Sequence, residues 1–399
     1  MTLPETMQTK HYDVIIAGGA AAGSASAYFL TTNPDFKGSV LVVEKDFSYQ
    51  YCATALSAAS IRHQFSTPEN IAMSQFGTQF LRQFGPVLAV NGEQPDAAFH
   101  EGGYLFLAST AGMNVLLENH QTQKALNVDV ALLTPDQLAT RFPWLHTDDL
   151  AAGSLGLSGE GWLDAYGMMQ GFRKKAIAQG ALYIENEVVG VQRQGHRVTG
   201  VTLNDGTALQ CETLINAAGT GGPRLARMAG IVLPVESRKR YVFYFQCPTE
   251  IAGCPMVIDP SGAYFRPEGK GFICGISPSP ANDLECFNFD VEHELFDETL
   301  WPLLAARVPA FEAIRCTRSW AGHYDMNTLD HNVIIGAHPE IENLFFANGF
   351  SGHGMQQSPA VGRALSELIT YGRFQTLDLS RMGWARILNN NLIIEKNIV

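Results

Sequence analysis

Residues 12–29 read YDVIIAGGAAAGSASAYF. After Asp13 the run to Ala17 is apolar and partly β-branched, which is the pattern of a strand covered on both faces. Gly18 and Gly19 stop it, and the small residues from Ala20 to Phe29 predict a helix that packs close to the strand it follows. A second apolar run, Ser39 to Val43 (SVLVV), ends at Glu44. The distance between the two runs suits a strand, helix and strand with the strands parallel, because a parallel pair needs a crossover of about a dozen residues or more.

The turn itself carries chemistry. In a G-x-G-x-x-G fingerprint the first glycine makes the turn, the second lets a pyrophosphate approach the backbone, and the third lets helix and strand touch. Gly18 and Gly23 hold the first and third places, while Ala20 holds the middle one and puts a methyl where bare backbone is preferred. The free N–H groups at the helix start still favour an anion there. Alone, this is a Gly/Ala-rich turn. Glu44 adds a second point, since it lies about 20 residues beyond the turn at a strand end, where a carboxylate accepts hydrogen bonds from a ribose. A dinucleotide site is therefore expected, with Gly18, Gly19, Ala20, Ala22, Gly23, Glu44 and Lys45 in it.

Composition sets limits around that unit. At 399 residues the chain exceeds the size at which one core stops growing, so two lobes are expected. The net charge of -12, without a Lys/Arg cluster, argues against nucleic acid as a partner. No apolar run approaches the ~20 residues that cross a bilayer. Seven scattered cysteines without a CxxC pair disfavour a disulfide framework and a structural zinc, and no metal site is expected. The polar stretch Met1 to Lys10 reads as a tail without a signal core, and the expected location is cytoplasmic.

Further along, strand-like runs fill Leu182 to Cys211, joined by the hairpin signal Asn204-Asp205-Gly206. Thr213 to Ile215 leads into Asn216-Ala217-Ala218-Gly219, and Asn343 to Ala347 leads into a glycine-rich turn, Gly349 to Gly354, and a helix over 356–371. Arg240 to Gln246, Gly262 to Arg266 and Gly271 to Ile276 alternate like strands of an antiparallel sheet. The 66–150 region reads as mixed helix and loop. Because the glycine-rich turns sit at both ends, the expected fold is α/β (α+β overall). It comprises a Rossmann-like dinucleotide-binding domain of discontinuous segments (1–85, 150–225 and 318–399), which the resemblance described next makes an FAD-binding domain, with an inserted antiparallel-sheet substrate domain (86–149 and 226–317).

The order of these motifs resembles the D-amino-acid oxidase, glycine oxidase and sarcosine oxidase (DAO) superfamily of FAD-dependent oxidoreductases. Its carriers are the first turn with Glu44, then Asn216 to Gly219, then Gly349-Phe350-Ser351-Gly352-His353-Gly354-Met355-Gln356. Residues Ala53 to Ser57, Gln64 to Ser66, Ser261 to Arg266 and Trp320 to Asp325 look most like the FAD-dependent oxidoreductase domain-containing proteins, a subgroup that includes a mitochondrial complex I assembly factor. Resemblance spans nearly the whole chain and is weakest over 91–141. It implies that Thr54, Ser57 and Ala58 line the pyrophosphate and flavin edge, that Val188 meets the adenine, and that Ala218 and Gly219 pack beside the dinucleotide. It also implies that Gly352, His353, Gly354, Met355 and Gln356 present amides to the flavin pyrimidine. No His lies between Glu44 and Ile61, and no Cys stands near His323, so the FAD is expected to be non-covalent.

The reaction expected from the resemblance is oxidation of a small amine or amino acid by hydride transfer to flavin N5. Tyr264 and Arg266 share one side of a strand. Arg266 is either a fork for a substrate carboxylate or a cation paired near Glu268. Tyr264 either seals the pocket or belongs to the core. His323, with Tyr324 beside it, either takes a proton or is structural. Arg62 and His63 are weaker candidates. Where sarcosine oxidases carry a lysine that helps to reduce oxygen, the matching residue is Ile273, which points to a dehydrogenase or a slow oxidase with an unidentified electron acceptor. Two other functions fit the same fold, an FAD-dependent 2-hydroxy-acid dehydrogenase and a non-catalytic FAD-binding assembly factor. Apolar residues near the C-terminus, Ile387 to Ile394, leave a homo-oligomer open.

Overall fold

The computed structural model describes residues 11–396, so the expected tail over 1–10 lies outside the described residues. The first part of the chain runs β1 (His11–Ala17), α1 (Ala21–Thr32), β2 (Val40–Glu44), β3 (Ser60–Ile61), α2 (Pro68–Leu81), α3 (Phe84–Val87), β4 (Tyr104–Ala108), α4 (Met113–Ala125), β5 (Val130–Leu133), α5 (Pro135–Arg141), β6 (Ala152–Gly156) and β7 (Gly161–Trp162). It continues with α6 (Ala165–Ala178), β8 (Leu182–Glu185), β9 (Val188–Gln194), β10 (Arg197–Leu203), β11 (Ala208–Asn216), α7 (Gly222–Met228), β12 (Val235–Gln246), β13 (Met256–Ile258), β14 (Ala263–Glu268) and β15 (Gly271–Ile276). The last part holds α8 (Trp301–Arg307), β16 (Arg315–Asn327), β17 (Ile334–His338), β18 (Ile341–Asn348), α9 (Gly354–Tyr371) and α10 (Trp384–Leu388).

Two large sheets organise these elements. The first has the path β17-β18-β11-β1-β2-β8, with β10 and β9 attached through β11. β1 is parallel to both β2 and β11, with Ile15 opposite Leu41 and Leu214, and its apolar run is buried as strands covered on both faces require. α1, α6 and α9 pack on one face, joined by Tyr28, Phe29 and Phe172. α7 and α10 cover the other.

The second sheet runs β16-β12-β15-β14-β13-β4-β6-β5 and is antiparallel except for β13 with β4. Its outer face is sealed by α5, α8 and a phenylalanine cluster that includes Phe243, Phe245, Phe265 and Phe311. Its inner face turns toward the first lobe. β6 and β16 belong to this second sheet, so it reaches into 150–225 and 318–399, ranges that sequence assigned to the first lobe. The reason is physical: alternation marks a half-buried strand but does not say which sheet it joins. For the same reason the 66–150 region, read as helix and loop, contributes β4 and β5.

Candidate active site

Gly18 has φ +100° and its amide donates to Val43 O at 2.9 Å, so the turn is stitched to the end of β2. A Cβ there would overlap the Ala217 carbonyl, and one at Gly23 would overlap the Gly18 carbonyl. These are the close approaches for which the fingerprint needs glycine. Ala20 has φ -71°, ordinary for alanine, and serves as the N-cap of α1 without a side-chain cap or an acidic residue in the first turn. The helix start is thus left open to an anion, with Thr54 Oγ1 accepting from the Ala21 amide at 3.4 Å and Ala22 half-buried beside it.

Glu44 is buried. Its carboxylate accepts from the Gly19 amide at 2.7 Å and the Asp46 amide at 3.1 Å, yet burial still raises its pKa above the usual carboxylate range. Its carbonyl accepts from the Asn186 amide at 2.9 Å, which sets Val188 near this strand end. Lys45, next in line, is exposed. Beyond β11, Ala218 and Gly219 are half-buried, and a side chain at Gly219 would meet nothing within 4 Å. Two buried polar groups close by lack a partner among the described residues: the Tyr49 hydroxyl, beside Gly19, and both amide atoms of Asn348, against Gly222. Open backbone, uncapped helix and orphaned polar atoms together fit a dinucleotide.

A second open helix start faces the same lobe junction. α9 begins after His353 with neither a side-chain cap nor an acid in its first turn. The Gly349 amide of the preceding turn donates to Asp325 Oδ2 at 2.8 Å, and burial pushes the Asp325 carboxyl up to about 6. At Gly352, with φ +95°, a side chain would strike the Tyr324 ring. Gln356 Oε1 accepts from the Arg62 amide at 2.9 Å and from Ser74 Oγ at 3.1 Å, tying β3 and α2 to the start of α9, where Gly354 is half-buried and Met355 buried.

The loop carrying Thr54, Ser57 and Ala58 bridges these turns and the second sheet. Ser57 Oγ accepts from the Ala59 amide at 2.9 Å. Trp320 Nε1 donates to Leu56 O at 3.0 Å, and Arg266 donates to Ala58 O through Nε at 3.0 Å and Nη2 at 2.6 Å. Ala58 packs against two inner-face clusters, Tyr104 with Tyr264 and Val242 with Tyr244 and Ile273. The remaining Arg266 nitrogen, Nη1, is taken by Pro267 O and Glu268. Arg266 therefore anchors the Ala58 carbonyl and pairs with Glu268.

His323 and Tyr324 are neighbours on β16 and so project to opposite faces. Tyr324, with Tyr264, lies on the inner side toward Gly352. His323 is opposite Lys239 and shares its face with Ala321 and Tyr241, which pack in the outer cluster. Its ring meets Phe289 edge-on at 4.5 Å, its Nε2 has no partner among the described residues, and burial lowers its pKa. His323 is thus separated from Tyr264, Arg266 and Tyr324, which the fold brings together.

Three other groups reach the junction, of which sequence named only Arg62, as a weaker candidate. Arg62 is buried, with its guanidinium 4.0 Å from the Phe65 ring centre and Nη2 3.1 Å from His353 Nε2. Glu160, fully buried between β6 and β7, accepts from the His63 and Gln64 amides and from Gln64 Nε2 at 2.8 Å. Even so, burial pushes its carboxyl up to about 7. Arg240 of β12 lies opposite Gly322, on the inner face. A charge inside an alternating strand, as in Arg238-Lys239-Arg240, was the one hint that sequence offered.

Residues 13–368 match the DAO family, described as FAD dependent oxidoreductase. The chain is 43% identical to FAD-dependent oxidoreductase domain-containing protein 1 of Xenopus laevis, over 97% of this chain and 85% of that one. Among solved structures, L-proline dehydrogenase from P. horikoshii superposes with a TM-score of 0.84 at 26% identity, covering 96% of this chain and 100% of that one. Glycine oxidase from Geobacillus kaustophilus gives 0.80 at 22% identity, covering 94% and 98%, which speaks to the fold alone.

Proposed function

The chain belongs to the FAD dependent oxidoreductase (DAO) family, and from that membership we propose that it oxidises a small amine or amino acid by hydride transfer to FAD. FAD is its cofactor, held non-covalently. The turn from Gly18 to Gly23 and the start of α1 would hold its pyrophosphate, Glu44 its ribose, and the turn into α9 its ring system. The chemistry supplied there is acceptance of a hydride from a substrate C–H bond. The protein orients the substrate, excludes water and balances charge.

One observation carries the reading: two helix starts lack a cap from their own N-cap residue, that of α1 meeting Thr54 of the loop 54–58 and that of α9 following Gly352 beside Tyr324, and across that loop stands a face of Tyr104, Tyr264, Tyr324 and buried arginines. Such a face is dry enough to strengthen electrostatics and polar enough to orient a small zwitterion. Ile273 on this face offers no charge to aid oxygen reduction, which supports an acceptor other than oxygen. Free thiols at all seven cysteines support a cytoplasmic setting. No helix among the described residues is long and apolar enough to cross a membrane.

The test is anaerobic mixing of the purified yellow protein with sarcosine, L-proline, glycine and lactate. Loss of the flavin band with an amino acid, followed by slow return in air, is expected. Bleaching by lactate alone would replace the proposal with a 2-hydroxy-acid dehydrogenase, and rapid reoxidation with stoichiometric peroxide would refute the choice of acceptor.

A further inference from the structure

Arg240 differs from Arg266 and Arg62, the other buried arginines at the lobe junction, in who holds it. Arg266 is bound by the carbonyls of Ala58 and Pro267 and by Glu268, and Arg62 by Gln64 O, His353 and two aromatic rings. Arg240 gives its whole planar fork to one carboxylate, with Nη1 to Asp283 Oδ1 at 2.7 Å and Nη2 to Asp283 Oδ2 at 2.9 Å, and Nη1 also donates to Lys239 O at 2.9 Å. Asp283 comes from the segment over 277–293, which holds no helix or strand, is bridged to β12 at Glu285 opposite Arg238, and carries Leu284 and Phe287 outward, 69% and 65% exposed. The fork itself is nearly covered, and Arg240 Nε is buried without a partner among the described residues.

Register fixes where this pair stands. Arg240 is opposite Gly322, and a side chain at Gly322 would meet Leu56, so Arg240 projects toward the loop that carries Ala58. Its guanidinium lies 5.0 Å from the Tyr324 ring centre, and Tyr324 abuts Gly352. The segment also bridges the two lobes, because Phe289 stacks obliquely on Tyr51 of the first lobe at 4.9 Å and meets His323 of the second sheet. Lys239 Nζ, donating to Asn288 Oδ1 at 2.9 Å and Asp290 O at 3.0 Å, pins it there.

We propose that Arg240 is the carboxylate-binding residue of the substrate site and that Asp283 is its resident stand-in, displaced when a carboxylate-bearing substrate arrives. The inference rests on the oxidoreductase reading and narrows its substrate class to amino acids. Exchange of one carboxylate for another keeps a covered guanidinium paired, whereas removal of Asp283 by an uncharged amine would strand it, a costly state. The fork matches a planar carboxylate in two parallel hydrogen bonds. Asp283 leaves with its segment, so carboxylate binding and displacement of the segment are one event, and amines without a carboxylate do not displace it.

The experiment uses holoenzyme and benzoate as a redox-inert carboxylate, with perturbation of the flavin absorption band as the readout and benzylamine as the carboxylate-free control. D283N should tighten benzoate several-fold and leave benzylamine unchanged. R240M should weaken benzoate about tenfold or more, and R240K, which keeps the charge and loses the fork, should lie between them. No response in wild type, equal affinity in wild type and R240M, or equal tightening of benzylamine in D283N would each overturn the proposal. If R240M does not fold, D283N and R240K decide alone. Failure of every amino acid to bleach the wild-type flavin would refute the oxidoreductase reading separately, since benzoate binding needs no turnover.

Discussion

Arg62 Nη2 lies 3.1 Å from His353 Nε2, deep between β3 and the start of α9. A guanidinium has only donors, so Nε2 must accept and the imidazole proton must sit on Nδ1. His353 is consequently held neutral, and burial together with the Arg62 charge depresses its pKa well below the ordinary imidazole value.

Nuclear magnetic resonance of ring nitrogens should therefore show His353 untitrated from pH 8 to pH 5 in wild type, and titrating at higher pH in R62M. The unfolded chain binds this proton near pH 6.5 while the folded chain does not, so this site subtracts stability as pH falls below that point. A wild-type midpoint near 6.5 would refute the assignment.

Gly23→Ala should cost most of the bound flavin. Its added methyl would press on the Gly18 carbonyl, backbone against backbone, in the turn that holds β1 and α1 together. Overpacking of this kind costs about 1–3 kcal/mol or more. Ala20→Gly removes a methyl at φ -71° and should fold as well as wild type. The flavin-to-protein absorbance ratio and the thermal midpoint of both variants check the contrast.

Local pattern made the first lobe legible. The run Tyr12 to Ala17, the turn at Gly18 and the acid at Glu44 lie within one supersecondary unit, where short-range physics decides structure. Strand alternation likewise placed Tyr264 and Arg266 on one face. The same rule, applied to neighbours, separates His323 from Tyr324, and only the long-range register of β16 against β12 shows which of the two faces the first lobe. Arg62 was legible only as a weaker candidate, because its His353 partner lies 291 positions away, and Glu160 and Arg240 were not legible, because the His63 amide and Asp283 that they meet lie 97 and 43 positions away in the chain.

Glu395 supplies a cap that α2 does not have. Thr67, the N-cap residue, makes no side-chain cap bond. Instead the buried Glu395 carboxylate accepts from the Ser66 amide at 2.9 Å, the Thr67 amide at 3.0 Å and Asn70 Nδ2 at 3.0 Å. In E395Q one oxygen becomes a donor facing donors, so urea unfolding should show a loss of about 1–3 kcal/mol. K396A removes a solvent-exposed pair with Glu118 and should change stability by less than about 1 kcal/mol. Equal effects would show that the tail's backbone, and not the carboxylate, secures it.

Glu160 should leave a signature in the pH dependence of stability. Its carboxyl is raised to about 7 from an ordinary value near 4.5, chiefly by burial, against the opposing pull of its amide donors and Arg62. The folded chain thus holds a proton through a window where the unfolded chain has lost it. Stability from this group is fully present below pH 4.5 and is lost progressively as pH rises through about 7. Asp325, raised to about 6, acts in the same direction over a narrower window. His353 opposes both, since its stability falls toward acid. In E160Q the Glu160 contribution disappears, so the difference in unfolding free energy between wild type and E160Q should drift against wild type from pH 5 to pH 7.5 and level off above. A difference that stays flat over that range would mean that Glu160 is ionised throughout, with Arg62 and the Gln64 side chain outweighing burial.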